Sequence, residues 1–320
     1  MLLSVIIPTC NRKELLSACL ERLAPGKQNG LSLVDAARSL GDDRQGSGQE
    51  STEPEYEVIV TDDGTDQVAE QLVQESFPWA RWLRGPIKGP AANRNHGASQ
   101  ARGEWLVFTD DDCLPDPVWL QAYVAAIGVD ADAYEGQTTC RAGLRSPLQT
   151  SPVNDSGGYL WSCNMAVRRI VFQTLGGFDT GFPAACNEDV EFRERLLRQG
   201  YRFQWVPKAV VDHPPRPQVL GIAMGRRGES QVRLWYARGN KEPMGFGLLA
   251  YLFKYRLREI YNLPFGFGSL VWFGSTLVEL TYILFHLRTW NARQRNAYIG
   301  SGGTQLIVSD TREAAAEVAR

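Results

Sequence analysis

Three consecutive aspartates, Asp110, Asp111 and Asp112, follow the apolar run 105–108 and stand shortly before Pro115. Clustered carboxylates repel one another unless a cation or solvent compensates them, so packing alone does not account for the triplet. Alternate aspartates in a D-x-D arrangement present oxygen ligands to a hard ion, and Mg2+ or Mn2+ held there would bridge to a ligand's phosphates. The bland alternative is a solvated turn, against which the buried run before the triplet counts. A second acidic pair, Asp62 with Asp63, ends the apolar run 57–61 before Gly64. In that place Asp63 can accept from a nucleobase imide or a ribose hydroxyl, or it can close an Asx turn. Asp189 follows Glu188 where a helix is predicted to start, and the helix dipole favours a carboxylate there whatever the function. Beside a pocket near Phe178 and Phe182, the same group suits a general base acting on a hydroxyl. His213, before Pro214, is either an ordinary core, surface or loop imidazole or a third metal ligand.

The elements that must position these groups follow from hydrophobic periodicity. Residues 2–7 form a short, β-branched apolar run ended by Pro8, which predicts a buried parallel strand. Helical spacing follows over 12–23. Further strands are expected over 57–61, around 82–84 and over 105–109, with helices over 66–75 and 91–101 between them. Strands alternating with helices predict an α/β fold with a doubly wound, mostly parallel sheet, whose ligands sit outside the carboxyl ends of the strands. Both acidic clusters fall at such ends. A helix is predicted over 187–200, with Asn187 as its cap and Gly200 as its stop, then a strand over 203–211. Residues 25–55 break the pattern, and their length predicts a mobile surface insertion. The catalytic part is expected over 1–213, with a helical region over 214–320.

The chain has 320 residues, 34 Lys plus Arg and 36 Asp plus Glu, for a formal net charge of −2. That near-neutral balance conceals an acidic 1–213 and a basic 214–320. The acidic front suits metal and nucleotide chemistry; the basic, aromatic-rich back suits an anionic membrane surface better than nucleic acid. Residues 263–287 are largely apolar, carry Glu279 mid-segment, and are flanked by Lys254, Arg256, Arg258, Arg288, Arg293 and Arg295. They are read as an interfacial or re-entrant helix with basic anchors, the alternative being a buried hairpin. Six cysteines, dispersed singly, point to reduced thiols in the cytoplasm. The N-terminal run lacks a basic start and is broken at Pro8, so it is read as a strand, not a signal peptide.

Five stretches carry a resemblance: SVIIPTCNR from Ser4, EVIVTDDGTD from Glu57, ANRNHGASQARGEWLVFTDDDCLPDPVWL from Ala92, CNMAVRR from Cys163 and GGFDTGFPAACNEDVEFRERLLRQGY from Gly176. In this order they resemble the family 2 glycosyltransferases of the GT-A fold over about residues 2–213. The resemblance implies an inverting transferase using a divalent metal and a nucleotide-sugar donor, UDP by default with dTDP and GDP open. It implies donor contacts from Pro8, Thr9, Asn11 and Arg12, from Asp62 and Asp63, from Arg94 and Asn95, from Asp110 and Asp111, and from Asn164. Asp110 and Asp112 are the implied D-x-D pair, with Asp112 as the direct metal ligand, and His213 stays the candidate third ligand on the chemistry of its imidazole. Asp189 is the implied base of an E-D motif, with Glu188 orienting it or the acceptor. No Q-x-x-R-W motif of processive members is present, so transfer of a single sugar to a saccharide or lipid-linked acceptor is expected. A sugar nucleotidyltransferase would need a glycine-rich, basic loop after the first strand, where Pro8, Thr9, Cys10, Asn11 and Arg12 stand instead. A non-catalytic nucleotide-sugar-binding protein would not need to keep all of Asp63, Asp110, Asp112 and Asp189.

Overall fold

Strand β1 (Leu2–Thr9) is buried along nearly its whole length because helices cover both faces of the sheet in which it is central. This computed structural model describes residues 2–34, 54–128, 130–260 and 266–300. After β1 come α1 (Lys13–Leu23), β2 (Ser32–Leu33), β3 (Glu55–Asp62), α2 (Val68–Ser76), β4 (Arg81–Arg84), α3 (Pro90–Ser99), β5 (Trp105–Thr109), β6 (Leu114–Pro115) and α4 (Trp119–Ala126). Then follow β7 (Ala133–Thr139), β8 (Gln149–Thr150), β9 (Asn164–Arg168), α5 (Arg169–Thr174), α6 (Glu188–Arg198), β10 (Phe203–Asp212) and β11 (Arg216–Pro217). The main sheet runs β2-β3-β1-β5-β9-β7-β10-β6, with β4 also paired to β3. Strands β2, β4, β3, β1 and β5 are mutually parallel, β7 is parallel to β10, and β9 runs antiparallel between the two sets. The doubly wound, mostly parallel sheet expected from the sequence is present.

Alternation along β1 divides the core into two layers. Leu3, Val5 and Ile7 join Val58, Val60 and Val107 under Leu16, Leu20, Leu72 and Leu120 of α1, α2 and α4. Ile6 joins Ile59, Leu106 and Phe108 against Ala98, Phe172, Phe192 and Leu196 of α3, α5 and α6. The second layer requires a close approach at Gly97, where a Cβ would lie 2.8 Å from Ile6 Cγ2. Helix α3 therefore rests directly on β1 and β3, which fixes Arg94 over the sheet.

Asn164 is a cross-brace of the core. Its Oδ1 accepts from Trp119 Nε1 at 2.8 Å and Tyr123 OH at 2.7 Å, and its Nδ2 donates to the carbonyls of Gln137 at 2.8 Å and Ala209 at 3.0 Å. An amide offers two donors and two acceptor positions, all of them engaged here. The expected donor contact at Asn164 is thereby corrected: the side chain joins β9, β7, β10 and α4 and has nothing left for a ligand. Asn187 takes the N-cap position expected of it, its carbonyl accepting the Glu191 amide at 2.9 Å. It sits at φ 74° and its side chain makes no capping bond to α6.

Of the stretch 25–55, residues 35–53 lie outside the described residues. Its first part is built into the domain: β2 pairs with β3, and Gln28 donates to the carbonyls of Arg22 and Asp116. The chain divides into two units between Gln218 and Val219. The second contains α7 (Gly221–Gly225), α8 (Gly228–Ala237), α9 (Gly247–Ile260) and α10 (Phe267–Gly300). Val232, Tyr236, Leu248, Leu252, Ile283, Leu287 and Trp290 form its core. Glu279, the mid-segment carboxylate, is buried and takes a two-pronged ion pair from the buried Arg256 at 3.0 and 3.1 Å. Residues 267–297 are long and apolar enough to cross a membrane, and only 28% of their most apolar window is buried within the protein.

Candidate active site

Three strand ends converge on the acidic groups. Asp62 and Asp63 end β3, Thr9 ends β1, and Asp110, Asp111 and Asp112 follow β5; in the sheet β1 lies between the other two. The Thr9 hydroxyl donates to Asp111 Oδ2 at 2.7 Å, and the Asp63 amide donates to the Thr9 carbonyl at 3.0 Å. Asp62, not Asp63, closes the Asx turn, with its Oδ1 2.7 Å from the Gly64 amide. Burial raises the Asp62 pKa above the ordinary value. Each Asp63 oxygen accepts a backbone amide of the loop ahead of α3, from Ile87 at 2.8 Å and from Gly89 at 2.9 Å. Asn11, at φ 54°, accepts from the Thr65 amide and so ties the turn after β1 to the turn after β3.

Cations answer the triplet through shared ion pairs. Arg12 reaches Asp111 at 2.7 Å and Asp112 at 3.2 Å, and Arg216 reaches Asp112 at 3.1 Å. Burial pushes Asp111 up to about 7, against the lowering effect of Arg12. Asp112, although buried, is held well below the usual carboxylate range by His213, Arg12 and Arg216. Burial acts to lower the His213 pKa, but the facing Asp112 outweighs it and leaves that pKa raised.

Arg94 forms the link to the other half of the site. It is only 5% exposed, and its guanidinium pairs with Asp110 through Nη2 and with Glu188, 3.3 Å away, through Nη1. One planar fork thus joins the end of β5 to the first turn of α6. Glu188 is pushed up to about 7 by burial and by its neighbour Asp189. Burial also raises Asp189, opposed by Arg94 and by the amides of Val190, 2.8 Å away, and Ser162, 3.4 Å away. A cavity of about 220 Å3 opens beside Glu188, between Lys88, Gly89 and Pro90 on one wall and Thr180, Phe182 and Pro183 on the other.

The ligand atoms of Asp112, Cys113 and His213 lie within 4.8 Å of one another. His213 Nε2 stands 3.3 Å from Asp112 Oδ1 without hydrogen-bond alignment, while Nδ1 lies 3.1 Å from the Pro214 carbonyl. A carbonyl only accepts, so Nδ1 carries the proton and Nε2 is the atom free to ligate. An oxygen and an imidazole nitrogen suit Mn2+ or Mg2+, whereas burial keeps the Cys113 thiol neutral. The residues therefore fit a divalent ion. Asp110 is not among these converging atoms; it faces Arg94.

Residues 4–145 match the profile described as Glycosyl transferase family 2, and residues 105–299, over half of the chain, match Glycosyl transferase family group 2. The chain belongs to the family 2 glycosyltransferases. Glycosyltransferase AglE of Haloferax volcanii is 26% identical over 248 residues, covering 72% of this chain and 73% of that protein. Chondroitin synthase of Escherichia coli is 30% identical over 263 residues, 67% of this chain and 35% of the synthase. Pre-mycofactocin glycosyltransferase of Mycobacterium tuberculosis is 30% identical over 184 residues, 51% of this chain and 38% of that enzyme. The chain thus spans well under half the length of the last two. Among solved structures, Staphylococcus aureus TarS 1–349 superposes with a TM-score of 0.52 at 18% identity, over 94% of this chain and 92% of that one. That likeness identifies the GT-A fold.

Within this family 2 glycosyltransferase, Pro8, Thr9, Asn11, Arg12, Asp62, Asp63, Arg94, the aspartate triplet, Glu188, Asp189 and His213 gather at one end of the sheet. Asn95 does not join them. Its amide exchanges hydrogen bonds with the backbone of Phe178, donating at 2.8 Å and accepting at 2.9 Å, and so clasps the segment leading to α6. Sequence reasoning missed Asn93, Glu135 and Arg216. Asn93, inside a motif already singled out, donates to the Thr61 and Thr9 carbonyls and holds the ends of β3 and β1 in register. Arg216 had no local signal, because only folding brings it beside Asp112.

Proposed function

We propose that this chain is an inverting glycosyltransferase that moves one sugar from a nucleotide-diphosphate sugar to an acceptor hydroxyl, in the synthesis of a cell-surface polysaccharide or glycolipid. The Arg94 bridge carries the proposal, since one buried guanidinium sets the carboxylates after β5 and the start of α6 a single side chain apart. Asp189 removes the acceptor proton as that oxygen bonds to the anomeric carbon, and the bond from this carbon to the diphosphate breaks on the opposite face. Glu188, beside the cavity, orients the acceptor or the base. With one base and no carboxylate nucleophile, the reaction is a single displacement that inverts configuration. Thr9, Asn11, Arg12, Asp62 and Asp63 flank the nucleotide, and Arg12 and Arg216 supply positive charge near the phosphates. Mn2+ or Mg2+ held by Asp112 and His213 would stabilise charge on the departing diphosphate, as a Lewis acid. The proposed donor is a UDP-sugar, with dTDP- and GDP-sugars as alternatives; TarS has been solved with UDP-GlcNAc.

Calorimetric titration of UDP-GlcNAc, UDP-glucose and GDP-mannose, with and without Mn2+, tests the donor and the metal together. The expected result is at least a tenfold gain in affinity with Mn2+ for one donor, abolished in both Asp112→Ala and His213→Ala. Equal affinity with and without the ion would overturn the metal assignment.

Peripheral contact with the inner face of the cytoplasmic membrane belongs to the same proposal. The outward apolar residues of α10 include Phe267, Leu270, Leu277, Val278, Leu284 and Phe285, a stripe about 27 Å long at 1.5 Å per residue, which becomes basic at Arg288. Glu279 faces inward to Arg256, so the stripe carries no charge. Cosedimentation should show binding to phosphatidylglycerol vesicles and little to phosphatidylcholine vesicles, with the binding lost in the double variant Phe267→Ser, Phe285→Ser. Retention by that variant would exclude the stripe as the contact.

A further inference from the structure

Next to Asp189 the segment 157–162 is held far more tightly than a connecting loop requires. Glu135, fully buried on β7, accepts from three successive backbone amides: Gly158 at 2.6 Å, Tyr159 at 2.7 Å and Leu160 at 2.5 Å. It also accepts from Asn154 Nδ2 at 2.8 Å. Leu160 is forced to φ 52°, a left-handed conformation disfavoured for a non-glycine residue, and its side chain is fully buried. Backbone strain of this kind persists only where the surroundings over-determine it, and it concentrates at working sites. With Leu160 turned inward, Tyr159 is left toward the surface, and Trp161 lies at the edge of the core. The Tyr159 and Trp161 rings meet at a tilt, with centroids 4.6 Å apart and planes 30° apart, Tyr159 being 42% exposed and Trp161 half-buried where it packs against the core.

Helix α6 grips this ledge at both ends. Asp189 accepts the Ser162 amide at 3.4 Å, and Arg193, one turn further along, donates to the Gly158 carbonyl at 2.7 Å. The aromatic pair is thereby fixed with respect to the carboxylate proposed as base. Aromatic faces are electron-rich and attract the weakly positive C–H groups of a pyranose face, and large rigid rings provide that contact at little entropic cost.

We propose that Tyr159 and Trp161 form the acceptor subsite and take the C–H face of a pyranose ring, so that the acceptor is a saccharide; this rests on the transferase function proposed above. Glu135 acts as a positioning residue that holds the ledge. Saturation-transfer NMR on the full chain with methyl β-D-glucopyranoside, methyl β-D-galactopyranoside and methyl N-acetyl-β-D-glucosaminide tests the assignment. At least one glycoside should receive saturation at its ring C–H protons, with the signal reduced at least fivefold in Tyr159→Ala and in Trp161→Ala and kept in Tyr159→Phe. Thermal melting would confirm that the variants are folded, and their affinity for nucleotide-sugars should stay within about twofold of the parent. Undiminished saturation in the Tyr159→Ala, Trp161→Ala double variant would overturn the ledge, as would no binding of any of the three glycosides. Failure of the parent chain to bind any nucleotide-sugar would instead overturn the transferase function, so the two failures are told apart.

Discussion

Replacing Asp189 with asparagine should lower the transfer rate by about 10^2- to 10^4-fold, the range of a lost general base, while donor affinity stays nearly unchanged. The substitution keeps one oxygen for the Val190 amide, 2.8 Å away, and gives up only the longer contact of the other oxygen with the Ser162 amide, 3.4 Å away, so the start of α6 should remain intact. What disappears is the capacity to take a proton. Because burial raises the Asp189 pKa, the parent rate should climb with pH through a midpoint above the ordinary carboxylate range, and the residual rate of the variant should lack that limb. Glu188, pushed up to about 7 beside it, titrates together with it, so the limb belongs to the pair. Initial rates against pH, paired with calorimetry of the donor, provide the check. A variant that loses donor binding as severely as turnover would show that Asp189 holds the donor and is not the base.

The second large effect concerns Arg94. Arg94→Met removes the only cation recorded between Asp110 and Glu188 among the described residues, leaving carboxylates without their shared partner. Breaking a buried ion pair from one side costs about 3–5 kcal/mol, because the remaining charge has no compensation. For a chain of this size that corresponds to a fall in Tm on the order of 10 °C. The deficit should depend on pH in a definite direction. Without Arg94, the folded-state pKa of Glu188 rises further above its unfolded value, so its contribution is present at low pH and is lost as pH rises. Melting curves should therefore place the variant closest to the parent near pH 5 and furthest from it near pH 8, both values being approximate. A deficit independent of pH would mean that the methionine disturbs packing, not charge.

Much of the site was legible because its chemistry is local. The triplet after β5 and the pair after β3 announce themselves by clustered charge at the ends of apolar runs, and the mostly parallel α/β sheet follows from short continuous apolar runs alternating with helical spacing. The internal roles of the asparagines were not legible, for a physical reason. Asn95 and Asn164 lie in recognisable motifs, but an amide bonds equally well to a ligand or to its own protein, and only the positions of Phe178, Trp119, Tyr123, Gln137 and Ala209 show that both amides are engaged internally. At Asn187 the cap position was legible, but not the left-handed backbone or the missing side-chain capping bond.

By itself, then, the amino-acid order determined where carboxylates would emerge and on which kind of element, since burial periodicity and charge clustering act over a few residues. Tertiary structure alone decided their partners. Arg94 spans from position 110 to position 188, His213 and Arg216 arrive at Asp112 from about a hundred residues away, and Glu135 draws 158–160 into a ledge beside Asp189. Such pairings depend on strand order and on which helix covers which face, and no short-range pattern encodes them.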